Sequence, residues 1–163
     1  MEHHWLAFRV LCLIGVANVA PILAKALLRE RWERALDGGR RCVDARPFLG
    51  PAKTIRGVVA AVIATALAAP ALGVPILLGA AIGAAAMAGD MLSSFAKRRL
   101  GVPPSGQALG LDQIPEALVP LLVVHAPLDL SLPEIFGVTA AFFGLHLVFA
   151  RLFYHLGICE RPY

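Results

Sequence analysis

Residues 86–101 read AMAGDMLSSFAKRRLG, so one carboxylate, two hydroxyls and three cations stand at the end of a hydrophobic segment. At helical spacing Asp90, Ser93 or Ser94, and Lys97 share one face. Ionisable side chains are expensive inside a membrane, and a carboxylate within an apolar helix therefore marks a functional site by default. Two further clusters accompany it: GPAKTIRG at 50–57, with Lys53, Thr54 and Arg56, and GLDQIPE at 110–116, with Asp112, Gln113 and Glu116. Acids for a hard cation beside bases for an anion suit a membrane-embedded site for Mg2+ and phosphate. The chemistry to expect there is transfer of a nucleotide onto a lipid phosphate.

Each cluster also has a plainer explanation. Lys53 and Arg56 could simply mark the cytoplasmic end of a helix, although with the unpaired N–H groups of a helix start they make an anion site. Lys97, Arg98 and Arg99 could be a stop-transfer signal. Asp90 resists that account: a carboxylate one or two turns inside the same helix, beside Gly89, serves no topological purpose and needs a metal or a cation. Asp112 and Glu116 are four apart and share a face of any helix they occupy, so with Asp90 they supply the oxygen ligands Mg2+ prefers. Asp112 would equally serve as the N-cap of a helix beginning near Ile114.

The elements that position these residues must be membrane helices. Of 163 residues 58% are hydrophobic and 16% charged, the composition of a polytopic helical membrane protein with a single membrane-embedded domain. Nucleic acid is excluded as a partner, because the basic residues flank apolar spans with no aromatic stacking platform between them. Cys12, Cys42 and Cys159 lie far apart without CxxC spacing, which supports neither a disulfide framework nor a zinc site. His3 and His4 receive no role, and His125, His146 and His155 read as packing residues on apolar helices. The start MEHH lacks Lys and Arg, and the following apolar stretch is too long for a signal peptide and contains Arg9, so it reads as a retained transmembrane helix.

Five spans are expected, at 5–28, 57–72, 74–95, 109–128 and 135–156, judged against the ~20 residues needed to cross the hydrocarbon core. Pro70, Gly73 and Pro75 leave only a tight turn between the second and third, which must be antiparallel neighbours. Their contact faces are read as Gly57, Ala60, Ala64 and Ala68 on one, and Gly79, Gly83 and Ala86 on the other, with Gly79 and Gly83 in GxxxG spacing. The fourth is irregular. It carries Pro115, Pro120 and Pro127, and can cross only if the region from Leu109 begins at membrane depth, buried in protein or lining a polar cavity. The loop at 29–56 has eight Lys or Arg against four Asp or Glu, a second basic loop spans 97–113, and 127–134 holds Asp129 and Glu134 without a cation. Positive-inside counting puts both basic loops in the cytoplasm, the N-terminus outside and the C-terminus inside.

GPAKTIRG, then GDMLSSFAKRRLG, then LDQIPEAL, in this order and separated by hydrophobic helices, resembles the CDP-archaeol synthase family over residues 46–120. That family is related to the CDP-diacylglycerol synthases, whose motifs include a KT element before a helix and an S-x-x-K-R element followed by a downstream aspartate. The resemblance implies transfer of CMP from CTP to an unsaturated archaeal ether-lipid phosphate, with Mg2+ and release of pyrophosphate. It places Asp90 and Asp112 on the metal-site aspartates and Lys53 on the lysine of the KT element, with Ser94, Lys97 and Arg98 on S-x-x-K-R. Lys53, Asp90, Asp112 and Lys97 are then the catalytic residues, and Thr54, Arg56, Ser93, Ser94, Arg98, Arg99, Gln113 and Glu116 bind substrate. One departure marks a divergent or bacterial-type member: the family pattern LDQ is followed shortly by another aspartate, where this chain has Ile114, Pro115 and Glu116. The implied partners are CTP, a lipid phosphate and membrane lipids, with a homodimer left open, in the cytoplasmic membrane with the site facing the cytoplasm. The alternatives are phosphatidic acid as acceptor, or a non-catalytic scaffold or small transporter.

Overall fold

The computed structural model describes residues 2–29, 31–103, 106 and 108–155; Cys159 and the end of the fifth expected span lie outside them, as do the side chains of His3, His4 and His155. The chain folds as α1 (Glu2–Leu28), α2 (Ile55–Ala68), α3 (Ile76–Arg99), α4 (Gln113–Val124) and α5 (Leu132–His155), with a 3-10 turn at Pro70–Leu72 joining α2 to α3. The architecture is all-α. Among the described residues the only β features are isolated bridges, Ala35 to Thr54 and Arg41 to Pro47.

Three helical stretches, Trp5–Leu28, Ile55–Leu72 and Ile76–Arg99, are long and apolar enough to cross a membrane. The fourth expected span is not a continuous helix of that kind. Its helical part, α4, has 12 residues and so rises about 18 Å, against a hydrocarbon core of ~30 Å. Proline accounts for the interruption. Pro115 falls in the first turn, where backbone N–H groups lack intrahelical partners, Pro120 removes a bond within α4, and Pro127 lies just beyond its end.

The short helix is laid against α3, which is the centre of the bundle and packs against α1, α2 and α4. Val10, Leu13 and Ile14 of α1, Ile82 of α3, and Leu121 and Val124 of α4 are wholly or almost wholly buried together, with Ile135, Val138 and Phe142 of α5 closing one side. Leu23, Leu77 and Phe136 remain exposed on the outer faces, where lipid would cover them.

The α2–α3 contact depends on missing side chains. A Cβ on Gly83 would stand 3.0 Å from the Ala61 carbonyl oxygen, and one on Gly79 would run into Thr65, Ala66 and Ala69. The GxxxG reading therefore holds, but the opposing stripe is Ala61, Thr65 and Ala69 rather than Ala60, Ala64 and Ala68. Thr65 can occupy this seam because its hydroxyl donates to the Ala61 carbonyl at 2.7 Å. Gly57 faces elsewhere, towards Pro21 of α1.

The basic loop between α1 and α2 is folded around Asp37. Its carboxylate accepts from the backbone N–H groups of Leu49 at 2.9 Å, Gly50 at 3.0 Å and Gly39 at 2.9 Å. Burial opposes ionisation of Asp37, yet these three donors prevail and hold its carboxyl below its ordinary value of 3.8. A lowered folded pKa favours the folded loop fully above pH 3.8, and that contribution disappears as pH falls through the lowered value. Amide hydrogen exchange should then show protection at Leu49 and Gly50 declining in this acid window. In Asp37→Ala the protection should be weak at every pH, reflecting a cost of ~2 kcal/mol for orphaned donors.

Candidate active site

Lys53 is the last residue before the N-cap of α2. Thr54 is extended there, with φ −115° and ψ 149°, and its Oγ1 accepts from the Gly57 N–H at 3.1 Å. Backbone bonds from Leu36 to Lys53 (2.7 Å) and from Ile55 to Arg34 (3.1 Å) fix this corner against the folded loop. Lys53 is thereby aimed at α3, where its Nζ donates to both oxygens of Asp90, at 2.6 and 2.5 Å.

A second pair lies further along α3. Lys97 donates to Asp112 at 2.6 Å and to the Gly106 carbonyl at 3.1 Å. Asp90 and Lys97 share a face of α3, as expected, but they are not partners. Seven residues of helix separate them by about 10 Å, so each must find its counter-ion on another segment. The pairs join the loop before α2 to α3, and α3 to the start of α4. Side-chain exposure is 23% and 17% for Lys53 and Asp90, and 13% and 14% for Lys97 and Asp112, so water screens these charges less than surface pairs.

Asp112 occupies the N-cap position of α4 without making a capping bond. Its second oxygen accepts from the Ala108 N–H at 3.2 Å, while Gln113 accepts from Gly110 at 2.8 Å. The capping alternative thus describes the position of Asp112 and not its bonding. Glu116, one turn on, is buried against Asp90 and near Asp112. It arrives there because α4 lies directly on Gly89: a Cβ at that position would overlap the Pro115 carbonyl.

The other expected site residues have mixed positions. Ser93 and Ser94 are buried, and the Ser93 hydroxyl donates to the backbone carbonyl of Asp90 at 2.9 Å. Arg56 is turned away towards α1, donating to the carbonyls of Arg29 at 2.7 Å and Arg31 at 2.5 Å. Arg99 binds the loop through Asp44 at 2.7 Å and the Pro47 carbonyl at 2.6 Å. Arg56, Arg98 and Arg99 each leave a buried Nε without a partner among the described residues, and Arg98, which is 5% exposed, leaves Nη1 so as well.

Sequence reasoning missed the two pairings, the work of Gly89 and the hub at Asp37. The paired residues are 37 and 15 positions apart, beyond any local periodicity, whereas the Gly-Asp dipeptide at 89–90 was a usable sign of close approach. His146 of α5, read as a packing residue, lies against Phe142 with ring centroids 6.3 Å apart.

Asp90, Asp112 and Glu116 carry hard oxygen atoms of the type a divalent cation such as Mg2+ takes as ligands. Among the described residues no three Asp, Glu, His or Cys side chains form a ready-made metal group. A cation there would complete its shell with water and substrate oxygens, as Mg2+ commonly does.

A helical bundle with membrane-length apolar helices and lysine–carboxylate pairs towards one end of its central helix is a membrane protein with a polar site built into it. The family described as CarS-like, CDP-archaeol synthase, matches residues 71–163. The CDP-archaeol synthase of Hyperthermus butylicus is 40% identical over 116 residues, which are 68% of this chain and 66% of the relative. That of Pyrobaculum calidifontis is 32% identical over 153 residues, 91% of each chain. A solved structure described as an intramembrane enzyme for archaeal membrane lipids biosynthesis superposes with a TM-score of 0.73 at 34% identity, covering 87% of this chain and 90% of that one. The chain belongs to the CarS-like CDP-archaeol synthase family.

Proposed function

We infer that this chain transfers CMP from CTP to an archaeal ether-lipid phosphate, producing a CDP-lipid and pyrophosphate. The observation that carries the reading is the pair of partly buried lysine–carboxylate contacts, Lys53 with Asp90 and Lys97 with Asp112, which bring the loop before α2 and the start of α4 onto the last turns of α3. Membership of a family of synthases sets aside the scaffold and transporter alternatives, and relatives named for archaeol favour an ether lipid over phosphatidic acid.

The acceptor phosphate is already an anionic nucleophile, so attack on the α-phosphorus of CTP requires little proton transfer. What the protein must supply is orientation and charge. Asp90 and Asp112, with Glu116 beside Asp90, would hold Mg2+, which would supply positive charge to offset that of the phosphates. Lys53 and Lys97 stand where their ammonium groups can donate to the same oxygens, and Arg98 brings two buried N–H groups that lack acceptors. Ser93, Thr54 and Gln113 bond the backbone of these corners, and Ser94 is buried next to Ser93. Arg56 and Arg99 act at one remove by fixing the loop that presents Lys53. The excess of cations in the loops at 29–56 and 97–113 supports a site on the cytoplasmic side, with the N-terminus outside and the C-terminus inside.

The test is pyrophosphate release by the purified chain with CTP, Mg2+ and a choice of acceptors. The unsaturated ether-lipid phosphate should be used about tenfold better than phosphatidic acid, a graded preference because apolar grooves discriminate weakly. Equal use of both would remove the ether-lipid assignment. No turnover with any lipid phosphate would remove the reading altogether.

A further inference from the structure

Two of the three carboxylates suited to a divalent ion, Asp90 and Asp112, are already occupied by cations of this chain, and the third, Glu116, is buried against Asp90. The Lys53 ammonium spans the two oxygens of Asp90, and Lys97 holds Asp112 while also bonded to the Gly106 carbonyl. We propose that the ligand-free site is closed to free divalent cations by its own lysines, and that metal and nucleoside triphosphate enter as one complex. Lys53 and Lys97 then pass from carboxylate to phosphate oxygens as the cation takes their places. This rests on the nucleotidyl-transfer reading.

The argument is one of acceptors. A cation arriving alone must displace ammonium groups that are three-quarters or more buried, leaving donors without acceptors at the end of α3. That region already contains such a donor, since Nε and Nη1 of Arg98 are buried and unpartnered. A lone cation adds to the deficit, whereas a triphosphate brings enough oxygens to satisfy Lys53, Lys97 and Arg98 together. The lysines therefore favour the metal–nucleotide complex over the free metal, and the carboxylates avoid mutual repulsion while the site waits.

Mn2+ accepts the same oxygen ligands and its free concentration is read by electron paramagnetic resonance. With the full-length chain in detergent and no nucleotide, Lys53→Met should bind Mn2+ about tenfold or more tightly than the wild type. The gain should vanish in Lys53→Met combined with Asp90→Asn. Adding CTP should tighten Mn2+ binding by the wild type much more than by Lys53→Met. Unchanged or weaker nucleotide-free affinity in a Lys53→Met protein that melts like the wild type would overturn the proposal, and if that variant melts early, Lys97→Met gives the same comparison. A wild type that turns over CTP while these variants show no gain defeats this inference alone. A wild type that neither turns over CTP nor binds Mn2+ better in its presence defeats the functional reading as well.

Discussion

Asp90→Asn should lower CTP turnover by about a thousandfold or more, the loss expected when a charge that orders the phosphates and their cation is removed. The substitution keeps the size of the side chain and removes the charge that meets Lys53 at 2.5 Å. Asp112→Asn should be comparably inactive, and the double variant little worse than either, because residues acting as a unit do not contribute additively. A neutral residue at position 90 also leaves Lys53 partly buried without its counter-ion, so stability has to be separated from chemistry. Lys53→Met combined with Asp90→Asn removes both charges, and this protein should melt close to the wild type while remaining inactive. Wild-type-like turnover in Asp112→Asn, with loss in Glu116→Gln, would transfer the second acidic role to Glu116.

Gly89→Val should cost as much activity by a different route. Its Cβ would overlap the Pro115 carbonyl and approach the Glu116 Cα at 3.0 Å, both of them backbone positions at the start of α4. Helix α4 would have to lift from α3, carrying Asp112 and Glu116 away from Lys97 and Asp90. Overpacking of this kind typically costs ~1–3 kcal/mol, and more where no flexible side chain can yield. The melting temperature should fall and turnover should drop at least about a hundredfold, since small displacements in a preorganised site are costly. Gly144→Ala is the matched control. Nothing lies within 4 Å of a Cβ there, so this change within α5 should leave melting and turnover unchanged or raise stability slightly.

Much of the molecule was legible in its sequence because membrane insertion is governed by local composition. Three uninterrupted apolar stretches yielded helices near the expected places, and Pro70, Gly73 and Pro75 gave the tight connection between two of them. The three charged motifs were recognisable for a related reason: ionisable residues are rare enough in such segments for Asp90 to stand out at once. The fourth span shows where local reading stopped. Its prolines announced an interruption, but only the bundle shows that a 12-residue helix suffices when its first turn rests on Gly89.

The pairing of charges was a tertiary decision. Sequence placed Asp90 and Lys97 on one helical face, and helix rise then kept them about 10 Å apart. Lys53 reaches Asp90 only because Asp37 folds the basic loop and Thr54 caps α2 in the right direction. Lys97 reaches Asp112 only because α4 lies close to α3. The arginines divide on the same ground. Residue type made Arg56, Arg98 and Arg99 equivalent candidates, but the fold commits Arg56 and Arg99 to backbone carbonyls and leaves two nitrogens of Arg98 buried without acceptors. The sequence by itself determined the long apolar helices and which charged residues lie in or beside them, since hydropathy and side-chain chemistry are local properties. The tertiary structure decided which acid meets which base, because those partners lie 15 and 37 residues apart and are brought together only when the helices pack.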